Sequence, residues 1–108
     1  MIRGKNEFND AVEFYLNDEY EKAIELFEDI VKKEPRNLDA RFNLALCYMR
    51  MIGMEKEHDE WFIPEDETLD EVYAVRAISE LNEILKYRSD DEEVMALLDA
   101  IKKVMDME

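Results

Sequence analysis

The sequence predicts an all-α protein of five helices arranged as antiparallel hairpins, and three observations lead there. Apolar residues recur at i, i+3, i+4 and i+7 in five separate segments, the spacing that lines one face of a helix. Gly and Pro together number four in 108 residues, too few for the turns of a sandwich or barrel. The segments are bounded by residues that cap helices, chiefly Asn37, Thr68 and Ser89. With 47% apolar residues the chain escapes disorder despite its 40% charged content. One domain of this length buries about 60–70% of its unfolded surface.

The first stripe is Phe8, Ala11, Val12 and Tyr15, and it stops at Asn17-Asp18, residue types that tolerate left-handed geometry. The second is Tyr20, Ala23, Ile24, Phe27, Ile30 and Val31; Pro35 ends it, because the residue before a proline is pushed out of the helical region. About three residues join these two helices, which forces an antiparallel hairpin. Asn37 is a predicted N-cap for the third helix, carrying Leu38, Phe42, Ala45, Leu46, Tyr48, Met49 and Ile52. Gly53 leaves its end open, since the charged stretch from Glu55 to Glu60 either continues the helix or frays. Thr68-Leu69-Asp70-Glu71 has the spacing of a capping box and opens a fourth helix with Val72, Val75, Ala77, Ile78, Leu81, Ile84 and Leu85. Ser89-Asp90-Asp91-Glu92 repeats that box before a fifth stripe of Val94, Leu97, Leu98, Ile101 and Met105.

Two of these segments resemble each other. Ala23-Ile24-Glu25-Leu26-Phe27-Glu28-Asp29-Ile30-Val31 matches Ala77-Ile78-Ser79-Glu80-Leu81-Asn82-Glu83-Ile84-Leu85 at an offset equal to one 34-residue helical-hairpin repeat plus a 20-residue insertion. A first unit holds Ala11, Phe14, Tyr20, Ala23, Phe27 and Pro35; a second holds Leu44, Ala45, Tyr48 and then Ala77, Leu81 and Ile84. In this the chain resembles the tetratricopeptide-repeat family. The resemblance implies helical hairpins stacked in a right-handed α-α superhelix: a repeat-like hairpin over 5–35, an extended hairpin over 37–88 and a capping helix over 90–106, all within a single domain, 1–108. Four features depart from the family pattern. Asp10 stands in place of a leucine, Arg41 of an aromatic, Ile30 and Ile84 of a small residue, and Ser89 of the second proline.

A formal net charge of −15 repels phosphate and anionic lipid, which argues against nucleic acid and membrane surfaces as partners. No apolar run approaches the ~20 residues that span a bilayer. The lone Cys47, and the absence of an apolar run after the two basic residues in 1–10, point to a cytoplasmic protein. Catalytic constellations are missing. Glu55 and His58 have the Glu-x-x-His spacing of di-iron bundles, which need two such motifs, and the chain has one His. Cys47 lies eleven residues from that His on an apolar helix. No Gly-rich phosphate loop occurs. The expectation is a non-enzyme with no metal and no cofactor.

What remains is a protein or peptide partner. The resemblance implies a groove lined by the first helix of each hairpin, and the matching residues are Lys5, Phe8, Val12 and Tyr15, then Asp39, Phe42, Leu46 and Met49. That set is apolar, which suits an apolar peptide or helix, while nearby acids favour a basic partner. Of the positions where some family members clamp a terminal carboxylate with basic residues and asparagines, only Asn43 matches, and the others hold Phe8, Val12, Glu93 and Leu97. Contact residues are expected at Phe8, Val12, Phe42, Leu46 and Met49. Trp61 and Phe62 form a second candidate patch in the stretch 55–71, where nine acids meet one Lys. The alternative is a structural homo-oligomer, a homodimer for instance, joined through the same apolar surfaces.

Overall fold

A computed structural model of the protein describes residues 3–52 and 69–106. Five helices account for them: α1 (Arg3–Leu16), α2 (Tyr20–Lys33), α3 (Leu38–Met51), α4 (Leu69–Tyr87) and α5 (Glu92–Asp106). Each helix packs chiefly on its neighbours in sequence: α1 on α2, α2 on α3, α3 on α4 and α4 on α5. The result is an all-α fold of helical hairpins.

The junctions follow from local chemistry. Asp18 takes φ 65°, the left-handed conformation expected at Asn17-Asp18. Around it the Glu19 amide donates to the Phe14 carbonyl at 2.8 Å and the Asp18 amide to the Tyr15 carbonyl at 3.0 Å. This paired closure satisfies carbonyls that the end of α1 leaves free. Glu34, held out of the helical region before Pro35, stops α2. The Asn37 side chain accepts from the Ala40 amide at 3.0 Å and caps α3.

The repeat is visible in what is buried. Ala11 and Ala45 stand at equivalent places in α1 and α3, and Ala23 and Ala77 in α2 and α4; all four are fully buried. Phe27 and Leu81, then Ile30 and Ile84, repeat the same equivalence in the core. Alanines let helix axes approach closely, and the larger side chains fill the space beside them. Asp10 is exposed, whereas its equivalent Leu44 is buried. Among the described residues α1 packs chiefly on α2.

Two expectations need correction. Asp91, not Ser89, caps α5: its carboxylate accepts from the Val94 amide at 3.1 Å. The Asp91 amide is itself tied back to the Arg88 carbonyl at 3.2 Å, so residues 88–91 form a turn and the helix starts two residues later than a Ser89 cap requires. Val75 is 57% exposed and does not belong to the buried stripe of α4. Ala74 takes that role, about 100° away on the helix, in register with Ala77, Leu81 and Ile84. In the second hairpin α4 has 19 residues against 14 in α3. α3 ends at Met51, where the Ile52 amide donates to the Met49 carbonyl at 3.2 Å in a tightened final turn. Thr68, the predicted cap of α4, lies outside the described residues.

Arg41 ties α3 both to α4 and to the turn that precedes it. Its Nη1 lies 2.6 Å from Glu80 Oε1 on α4, and its Nε donates to the Pro35 carbonyl at 2.8 Å. Both side chains are mostly buried. A charged pair thereby fills the place where the family pattern carries an aromatic.

Candidate functional site

The residues expected to contact a partner fall on α1 and α3. Phe8 and Val12 on α1 repeat as Phe42 and Leu46 on α3, and Tyr15 repeats as Met49. All six are half-buried. Five of them also pack against the core: Phe8, Val12, Tyr15, Phe42 and Met49. Phe8 meets the buried Phe27 ring edge-on, with centroids 5.6 Å apart at 77°. These side chains are anchored from below by the core and keep part of their surface exposed. α5 packs on α4.

Sequence reasoning missed Arg50. Its guanidinium carbon stands 5.9 Å from the centroid of the Tyr15 ring, and its Nε donates to the Tyr15 hydroxyl at 3.2 Å. The Tyr15 ring also lies edge-on to Tyr20 at 5.5 Å. One signal was available: Phe42, Leu46, Met49 and Arg50 stand at i, i+4, i+7 and i+8, a single helix face. The apolar end of the face at Phe8 and Phe42 thus passes into an aromatic and cationic end at Tyr15 and Arg50.

Where α1, α2 and α3 meet, an open depression of about 480 Å³ is lined by Glu7, Phe8, Ile30, Lys33, Glu34, Asn37 and Asp39. Lys33 Nζ is 3.0 Å from Asp29 and 3.5 Å from Glu7. A hydrogen bond with Asp29 holds the Glu7 carboxyl above the usual carboxylate range, while the same contact holds Asp29 below it. Asn37 is occupied on both sides, capping α3 with its oxygen and donating its Nδ2 to Glu34 Oε1 at 2.9 Å.

Opposite this face a polar seam joins the hairpins. The Tyr48 hydroxyl donates to Glu28 Oε2 at 2.5 Å, and the Tyr48 ring stacks on Tyr73 at 6.2 Å and 26°. Burial and the Glu28 hydrogen bond both push the Tyr48 phenol well above its ordinary range. Burial also pushes the Cys47 thiol up to about 12, so this fully buried residue packs as a small apolar group. Trp61 and Phe62, with the Glu55–His58 pair, lie outside the described residues. Among the described residues no helix is long and apolar enough to cross a membrane.

Residues 14–52 match the family model described as tetratricopeptide repeat. That span runs from the end of α1 through α2 and all of α3, so it takes in Phe42, Leu46, Met49 and Arg50. No curated protein and no solved structure was found to match the chain.

Proposed function

We propose, from the premise that the chain carries a tetratricopeptide repeat over residues 14–52, that it is a non-catalytic adaptor which docks a peptide or helix of another protein on the face of α1 and α3. The repeat itself marks a protein–protein interaction module in general terms; the choice of face and partner is the proposal. The observation that carries it is the paired apolar row Phe8/Phe42 and Val12/Leu46, half-buried on α1 and α3. Apolar anchors at this spacing suit an extended peptide or an amphipathic helix. Trp61 and Phe62, in their strongly acidic stretch, are proposed as a second contact for the same partner. The setting is a cytoplasmic one, as the lone Cys47 suggests.

Self-association, through the same apolar face or end to end, is the rival. The exposed positions of the first hairpin are mostly polar, among them Asn9, Asp10, Glu13, Glu21 and Glu25, with Leu16 the apolar exception. This favours docking of a different protein over end-to-end pairing of copies.

The test is affinity capture with the wild type and a Phe42→Glu/Leu46→Glu variant shown by circular dichroism to fold, alongside light scattering of the free protein. Partners lost by the folded variant, with a monomeric free protein, support the reading. If the folded variant retains every partner, the face is wrong. A stable homodimer that the double substitution dissociates makes the chain a structural homo-oligomer.

A further inference from the structure

The depression at the meeting of α1, α2 and α3 has a floor and a rim of different character. Its floor is the Phe8 ring and Ile30, the latter only 6% exposed. Its rim carries the carboxylates of Glu7, Glu34 and Asp39 against the single ammonium of Lys33. That ammonium is already engaged by Asp29 and Glu7. Three carboxylates against one cation leave two unbalanced negative charges around an apolar floor. The hydrogen bond from Asn37 fixes one of them, Glu34, in place. Phe8 and Asp39 belong at once to this depression and to the face of α1 and α3, so the two are continuous.

A long cationic side chain has the matching form. Its aliphatic stem lies along apolar surface while its charged head reaches carboxylates. An acidic or neutral side chain here faces repulsion or leaves the rim unpaired. We propose that this depression is the subsite that receives a lysine or arginine side chain of the partner protein. The inference rests on the reading of α1 and α3 as the docking face and adds the chemistry of one residue of the partner.

The test uses the full chain, isotope-labelled for amide NMR, titrated with N-acetyl-arginine methylamide at low salt. N-acetyl-norleucine methylamide, which has an aliphatic stem and no charge, is the control. The arginine probe is expected to shift amides of residues 7–8 and 30–39 saturably, and the norleucine probe to leave them in place. A Glu34→Gln/Asp39→Asn variant, changed at two exposed positions, is expected to bind the arginine probe about tenfold more weakly. The proposal is overturned by equal shifts from both probes, by undiminished binding to the folded variant, or by no saturable shift. If the subsite fails while Phe42→Glu/Leu46→Glu still abolishes capture, the docking face stands without it. The reverse pattern removes the docking face and leaves the measured preference for a cation.

Discussion

Arg41 and Glu80 show how a single position departs from a family pattern without loss of packing. Only 13% and 17% of their side chains remain exposed, so removing one partner leaves a mostly buried charge. Arg41→Ala is expected to cost about 2 kcal/mol in urea denaturation, and Arg41→Met with Glu80→Leu to recover most of that loss. Burial, the larger influence, raises the Glu80 carboxyl above its ordinary 4.5, and Arg41 only partly opposes it. A raised carboxyl favours the folded state when protonated. That contribution is complete below 4.5 and is lost as pH rises through the folded value. The stability of the wild type relative to Glu80→Gln should therefore improve as pH falls from about 7 towards 4. An unchanged or opposite trend contradicts the assignment.

Cys47 gives a second prediction at this scale. With its thiol fully buried and pushed up to about 12, it should resist alkylation at mildly alkaline pH until urea unfolds the chain. Rapid labelling of the native protein means that α3 opens locally or packs differently.

Among the elements, the boundaries that depend on one residue were legible and those that depend on a turn were not. Asp18 and Asn37 announce themselves by type: one tolerates φ 65° and the other accepts from the Ala40 amide. Ser89 carries an equally good signature, Ser-x-x-Glu, yet the turn across residues 88–91 hands the cap to Asp91. Asp91→Ala should destabilise by about 1 kcal/mol while Ser89→Ala has almost no effect, read from thermal or urea unfolding. Equal effects return the cap to Ser89. Val75 misleads for a related reason. Its apolar character says nothing of its angular position, and Ala74, the smaller residue, is the one that lets helices approach. Half of the candidate site was readable as a stripe repeated at the 34-residue offset. The depression was not, because it combines Glu7 of α1, Ile30 of α2 and Asp39 of α3, which only packing brings together.

Across the whole molecule, charge and repeat act together. The alanines and Phe27/Leu81 equivalence build a stack in which each helix meets chiefly its neighbours in sequence, and the face of α1 and α3 is the one proposed for a partner. The net charge of −15 disfavours nucleic acid, and its local form at Glu34 and Asp39 is proposed to select cationic side chains. The central claim is that this face touches another protein. Its most direct measurement is in-cell photocrosslinking with p-benzoylphenylalanine in place of Leu46, with the same probe at the exposed Glu25 of α2 as control. The account predicts a discrete adduct with a second protein from position 46 and none from position 25. Adducts only with another copy of the chain, or the same products from both positions, contradict it.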